Sequence, residues 1–131
     1  VEKETAASQA RRAMREAENF VLPAARAERR GDLRLAEARA ALDSFAANIK
    51  SRNENVYIEI QGHTDSVGPE SYNYDLGLRR AEAVLRYLNM EQGFALHRMS
   101  VISYGESKPV EKNGSPEGRA RNRRVALVVL K

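Results

Sequence analysis

The sequence predicts an α/β fold, a two-layer sandwich in which helices pack on one face of a β-sheet. Two observations lead to this prediction: apolar residues recur at helical spacing in two long segments, and a short apolar segment typical of a strand follows each of them. At 131 residues the chain has the size of one domain that can bury a core without disulfides, and it contains no cysteine. A disulfide scaffold, a thiolate zinc site and a cysteine nucleophile are therefore excluded.

The net charge is modest and both signs are interspersed. Lys and Arg total 22 and Asp and Glu total 18, which gives +4. This balance is typical of a hydrated surface rather than of an obligate nucleic-acid binder, so we expect no nucleic-acid partner. No apolar stretch approaches the roughly 18 residues that a membrane-spanning helix needs. We expect contact with a membrane only through an anchor that lies outside these residues.

The first part of the chain favours helix. Residues 1–32 are rich in Ala, Arg and Glu, and we assign them to a helical N-terminal extension or linker that Pro23 interrupts. A better helix is predicted over 33–50, after the candidate N-cap Asp32. Its apolar residues alternate spacings of three and four and define one buried face: Leu35, Ala38, Leu42, Phe45 and Ile49.

The second part of the chain alternates strands with helices. A strand is predicted over 56–60, a helix over 73–91 that ends at Gly93, and a second strand over 99–104. Because a strand–helix–strand connection normally crosses over, these two strands should be parallel neighbours. The last strand, 125–130, is apolar on both faces, and we therefore place it in the centre of the sheet.

A short helix is predicted to begin at Ser115, a candidate N-cap that is followed by a proline and a glutamate. The helix leads into a basic segment with four arginines in six residues. From the sequence alone, such a segment is interpreted as a solvated face. The four residues are Arg119, Arg121, Arg123 and Arg124.

Asp65 and Arg80 are the strongest candidates for a binding site. Asp65 follows the carboxyl end of a strand, where open α/β sheets commonly bind ligands, and Arg80 lies in the helix that the same loop enters. A carboxylate and a guanidinium facing one crevice would bind a zwitterion, the Asp taking an ammonium and the Arg a carboxylate. The alternative is that Asp65 caps a turn or forms a structural ion pair with Arg80.

Other chemistries find little support in the sequence. His63 and Asp65 have a spacing that would suit metal ligands, but no third ligand is evident. Ser66 lies close to His63 without the turn that exposes a nucleophilic serine. The glycines match no phosphate-binding loop. We therefore expect no enzyme, no metal site and no cofactor.

Four motifs occur in order between residues 56 and 130. They are Gly-His-Thr-Asp at 62–65, Leu-Gly-Leu-Arg-Arg-Ala at 76–81, Ser-Tyr-Gly-Glu-Ser-Lys-Pro at 103–109 and Gly-Arg-Ala-Arg-Asn-Arg-Arg-Val at 118–125. Together they resemble the OmpA-like C-terminal domain, and the second and third are especially similar to its peptidoglycan-associated lipoprotein branch. The resemblance implies a mixed sheet of about four strands in the order βαβαβ(α)β, within a domain that spans residues 33–131.

The resemblance also implies a function. Domains of this family bind peptidoglycan non-covalently through the meso-diaminopimelate of the stem peptide, and they tether an outer membrane or an envelope complex to the cell wall. It implies a periplasmic location in association with the outer membrane, with periplasmic envelope proteins as further partners. The alternative within the same fold is a protein-interaction module of a flagellar stator or a secretion system.

The same resemblance assigns roles to individual residues. Asp65 would contact the diaminopimelate ammonium and Arg80 a diaminopimelate carboxylate. Arg124 would add positive charge near the ligand, and Asn122 would hold its loop rather than touch ligand. Three further residues would shape the pocket: Thr64, Asn73 and Leu76.

One region departs from the family pattern. The family usually opens with a strand directly before the first helix, and residues 27–32 have no apolar alternation at that place. Residues 19–22 are the only candidate for this strand. Either an insertion separates this strand from the helix, or helix replaces it.

Overall fold

The computed structural model describes residues 5–6, 18–23, 36–53 and 55–130. The elements follow one another in the predicted order of alternating strands and helices. They are β1 (Glu18–Pro23), α1 (Ala36–Ser51), β2 (Tyr57–His63), α2 (Glu70–Met90), a short 3₁₀ helix (Leu96–Arg98), β3 (Met99–Gly105), α3 (Pro116–Asn122) and β4 (Arg124–Leu130).

The four strands form one mixed sheet in the order β1-β4-β2-β3. β4 is antiparallel to both of its neighbours, and β2 and β3 run parallel, as predicted for strands joined by a helix. All residues of β4 except the last are buried, and this strand has a neighbour on each side. The prediction of a central last strand is confirmed.

β1 lies at one edge of the sheet and corrects part of the sequence interpretation. The candidate strand 19–22 pairs with β4, with Leu22 opposite Val125. Residues 18–23 are therefore strand, within a segment that the sequence assigned to a helical extension. The remainder of that extension lies outside the described residues apart from 5–6, and so do 24–35, which separate β1 from α1. The domain boundary between residues 32 and 33 stays a prediction.

One core lies between the helices and one face of the sheet. From α1 it takes the predicted apolar stripe, except that Leu35 lies outside the described residues. Phe45 of this stripe packs edge-to-face on Phe20 of β1, with ring centroids 5.0 Å apart. The other elements contribute alternating strand residues and the α2 stripe: Ile58, Ile60, Ala81, Val84, Leu88, Val125, Leu127 and Val129.

The ends of the helices follow local sequence signals. At the end of α2, Gly93 has a φ of +75°, and the backbone N–H groups of Gly93 and Phe94 donate to the carbonyls of Asn89 and Leu88. This is the predicted glycine termination, in which the Gly93 N–H makes the 5→1 hydrogen bond of an αL cap. Ser115 caps α3 by accepting a hydrogen bond from the Gly118 N–H at 3.0 Å. α2 begins at Glu70, three residues before the predicted start.

Within the residues that the structure describes, no helix has both the length and the hydropathy required to cross a bilayer.

Candidate ligand-binding site

Two glycines set the distance between α2 and the end of β2. A Cβ atom on Gly62 would overlap the backbone carbonyl of Gly77, and a Cβ on Gly77 would lie 3.1 Å from the Gly62 oxygen and 2.5 Å from Ser103 Oγ. Only glycine at both positions allows this approach of helix and strand backbones. The first half of α2 is consequently held directly beside the loop that follows β2.

Hydrogen bonds join this loop to β3 and α2. Ser103 Oγ donates to the Tyr74 carbonyl at 2.6 Å and accepts from the Gly105 N–H at 3.2 Å. The Gly105 carbonyl accepts from the Thr64 N–H at 2.8 Å. The ends of the parallel strands β2 and β3 and the start of α2 therefore form one connected frame, at the edge of the sheet where ligands of α/β proteins bind.

Asn73 fixes the backbone of the loop from inside. It is 1% exposed, and its Nδ2 donates to the carbonyls of Asp65 at 3.2 Å and Val67 at 3.1 Å. The hydroxyl of Thr64 donates to the same Asp65 carbonyl at 2.8 Å. The backbone of Asp65 is thus held by two side chains, so the direction in which its carboxylate leaves the chain is set by the fold.

The Asp65 carboxylate is held at both oxygens. Oδ1 accepts from the Val67 N–H at 3.0 Å, which is the turn-capping role that the sequence left open. Oδ2 accepts from Arg123 Nη1 at 2.8 Å, in an ion pair whose two side chains are 13% and 14% exposed. The ion-pair partner of Asp65 is therefore Arg123, 58 residues along the chain, and not Arg80.

A cavity of about 270 Å³ opens beside this carboxylate. Asp65 and Arg80 both line it, and Arg80 is buried within α2. Exposed apolar surface at its rim comes from Val67 and Tyr72. The other lining residues are Thr64, Asn73, Leu76, Arg119 and Arg123. Five of the six residues that the resemblance assigned to the ligand thus lie around one pocket.

Arg124 is the sixth, and it does not line this pocket. It is 7% exposed, and its guanidinium donates to the carbonyls of Asn122 at 3.2 Å and Lys108 at 3.1 Å. Burial lowers the pKa of this guanidinium. Arg124 is the first residue of β4 and Arg123 precedes it, and successive residues of extended chain point to opposite sides. For this reason the pocket contains Arg123 and not its neighbour.

The structure corrects the interpretation of the basic segment as a solvated face. That description holds for Arg121, whose side chain is 69% exposed and pairs with Glu111 at 3.1 Å. Arg119 and Arg123 line the pocket instead, and Arg119 Nη1 also donates to the Asn113 carbonyl at 3.0 Å. The four-residue spacing of these two arginines was a signal that could have identified them, because the N–H of Arg123, the C-cap of α3, donates to the Arg119 carbonyl one turn back.

Asn122 holds the loop before α3, as predicted. It is fully buried, and its Oδ1 accepts from the N–H groups of Val110 at 2.9 Å and Glu111 at 3.0 Å. Its Nδ2 donates to the Glu111 carbonyl and to Asn113 Oδ1. This amide therefore provides hydrogen-bond partners for backbone N–H and C=O groups of the loop, which has no regular secondary structure to pair them.

His63 is the last residue of β2, in a setting that keeps it neutral. It is 2% exposed and stacks on Tyr104 with ring centroids 5.3 Å apart. Desolvation, and then the charges of Arg124 and Lys108, lower the pKa of His63 to about 4. Among the described residues there is no group of three His, Cys, Asp or Glu side chains that could hold a metal ion.

Comparison with known proteins agrees with this architecture. The chain is 48% identical over 88 residues to outer membrane porin F of Pseudomonas fluorescens and 43% identical over 91 residues to the peptidoglycan-associated lipoprotein of Pseudomonas aeruginosa. The matches cover 67% and 70% of this chain, but only 26% and 52% of those relatives.

A solved structure shows the same fold. The crystal structure of the peptidoglycan-associated lipoprotein from Burkholderia pseudomallei superposes with a TM-score of 0.66 at 38% identity, over 72% of this chain and 79% of that one. Residues 27–123 match the OmpA family. This chain belongs to the OmpA family.

Proposed function

We propose that this domain binds peptidoglycan non-covalently, through the meso-diaminopimelate of the stem peptide. The observation that carries the proposal is the single pocket lined by both Asp65 and Arg80. The free end of diaminopimelate is a zwitterion with one ammonium and one carboxylate. Asp65 accepts hydrogen bonds from the ammonium, and Arg80 donates to the carboxylate.

The hydrogen bonds that the Asp65 carboxylate already accepts leave room for a ligand ammonium. Each of its oxygens accepts one hydrogen bond within the protein, and an ionised carboxylate has about four acceptor positions. An ammonium can therefore bind without displacing Arg123. The exposed surfaces of Val67 and Tyr72 at the rim would pack against the methylene chain that joins the two ends of diaminopimelate.

The size of the cavity favours the peptide over the glycan. At about 270 Å³ it accommodates one amino-acid side chain rather than a disaccharide. A few charged contacts in a partly open pocket give an affinity in the micromolar to millimolar range. Many copies attached to one membrane and binding one polymer would still hold firmly through avidity.

This function places the domain in the periplasm, tethering the outer membrane or an envelope complex to the wall. Support comes from relatives whose names include an outer membrane porin and a peptidoglycan-associated lipoprotein. No bond is made or broken in this proposal. A protein-interaction module built on the same fold remains the alternative, and it would not depend on the Asp65–Arg80 pocket.

The test is cosedimentation with diaminopimelate-type sacculi. Asp65→Asn and Arg80→Gln should each weaken binding by about tenfold, because each removes a charged hydrogen bond to the ligand. Asp75→Asn and Arg86→Gln are matched controls, since both residues are exposed on α2 and do not line the pocket. Thermal melting establishes that each variant is folded. Full binding by both folded pocket variants would contradict the proposal.

A further inference from the structure

We infer that Arg119 and Arg123 form a second carboxylate-binding subsite in the pocket that Asp65 and Arg80 line, and that this subsite takes the C-terminal carboxylate of the stem peptide. The inference rests on the proposed function and extends it from one zwitterionic group to the peptide end as a whole. It makes the number of free carboxylates on the ligand, and not its shape alone, a determinant of binding.

The first argument is the position of the two arginines. Arg119 lies in α3 and Arg123 is the residue that caps its C-terminal end, and both line the pocket, so they present neighbouring guanidiniums to the same space. Each is fixed by one bond to the protein: Arg119 Nη1 to the Asn113 carbonyl and Arg123 Nη1 to Asp65. A guanidinium has five N–H donors, so each retains donors for a ligand while its orientation is set.

The second argument is charge. Three guanidiniums and one carboxylate line the pocket, and the carboxylate is already paired with one of the guanidiniums. A ligand group with one ammonium and one carboxylate is neutral and adds no net charge to the pocket. A peptide end that adds a second carboxylate brings one more negative charge to the side of the pocket lined by Arg119 and Arg123, and partial burial strengthens this interaction.

The chemistry of the ligand supplies such a group. When diaminopimelate ends the stem peptide, one of its centres carries the ammonium and a carboxylate, and the other carries the C-terminal carboxylate. The first centre binds between Asp65 and Arg80. The C-terminal carboxylate then meets Arg119 and Arg123, whose planar donors suit two-pronged contacts with carboxylates.

The experiment compares two synthetic tripeptides, L-Ala-γ-D-Glu-meso-diaminopimelate with a free C-terminal carboxylate and with a C-terminal carboxamide. Both keep the zwitterionic centre intact. Isothermal titration of the full chain should show the acid binding on the order of tenfold more tightly than the amide. Arg119→Gln should reduce this preference, because it should weaken binding of the acid by a larger factor than binding of the amide.

Arg121→Gln is the matched control, because Arg121 lies on the same helix, is exposed and does not line the pocket. It should retain the full preference for the acid. A merely structural role of Arg119 would weaken both peptides equally, and that result overturns the inference, as does equal binding of the two peptides by the unmodified chain. In both cases binding that still depends on Asp65 leaves the proposed function standing. Binding of neither peptide overturns the inference and the proposed function together.

Discussion

The contact between Gly62 and Gly77 offers a direct test of how the site is positioned. In Gly62→Ala, the added methyl group would meet the backbone of α2, with the Gly77 carbonyl carbon 2.5 Å away and its Cα 2.9 Å away. Real Cβ atoms essentially never approach other atoms below 3.0 Å. Because the obstacle is helix backbone and not the tip of a flexible side chain, α2 must move away from β2.

The cost of this movement follows from packing. Inserting a methyl group into a close-packed contact costs about 1–3 kcal/mol, and we expect about 3 kcal/mol here because backbone must shift. For a chain of 131 residues this corresponds to a melting temperature lower by about 10 °C. Gly77→Ala should cost less, since its nearest obstacle is the Ser103 hydroxyl and alanine favours helix by about 1 kcal/mol.

Circular-dichroism melting measures the stability, and titration with the diaminopimelate tripeptide measures the site. The same displacement that destabilises Gly62→Ala also moves Asn73 and Arg80, so binding should weaken at temperatures where the variant is folded. A purely global loss of stability would leave the affinity of the folded molecules unchanged.

Gly114→Ala is the control, because a Cβ there meets nothing within 4 Å. Its free energy of unfolding should stay within about 0.5 kcal/mol of the unmodified chain. A melting temperature for Gly62→Ala equal to that of Gly114→Ala, with full ligand affinity, would refute the reasoning that this contact positions α2.

Two further predictions concern buried polar groups. The pKa of His63 is about 4 in the folded chain and 6.5 in an unfolded chain. Between these pH values the unfolded state binds more protons than the folded state. The free energy of unfolding should therefore fall by about 3 kcal/mol from pH 6.5 to pH 4. Chemical denaturation across this pH range should show the full fall in the control variant His97→Gln, because His97 is exposed. The fall should be much smaller in His63→Gln. An equal dependence of stability on pH in the two variants would contradict the assignment to His63. Asn122→Ala should destabilise by about 2–4 kcal/mol, since it leaves the buried hydrogen-bonding groups of the α3 loop without partners. Chemical denaturation measures this loss, and a variant as stable as the unmodified chain would count against this explanation.

The order of the elements could be predicted because its signals are local. The apolar stripes of α1 and α2, the cap at Ser115 and the glycine end at Gly93 depend on residues within a few positions of one another. The burial of β4 was also predictable, since a strand with apolar residues on both faces is typical of the interior of a sheet. These features need no knowledge of distant parts of the chain.

The edge of the sheet was less accessible to prediction. β1 is short, it is preceded and followed by residues of helix-favouring composition, and it pairs with a strand about a hundred residues later. Strand propensity depends on such partners more than on the segment itself. The sequence accordingly offered residues 19–22 as a candidate and could not choose between an insertion and a replacement by helix.

The sequence by itself determined which residue types the site contains: a carboxylate after a strand and an arginine on the following helix. Only the tertiary structure decided how they are arranged. In the folded chain Asp65 pairs with Arg123, and Arg119 lines the same pocket. The guanidinium of Arg124 is instead buried and donates to the Lys108 carbonyl. The physical reason is that one residue of register reverses the direction of a side chain in extended backbone, and that register is fixed by the pairing of β4 with β2.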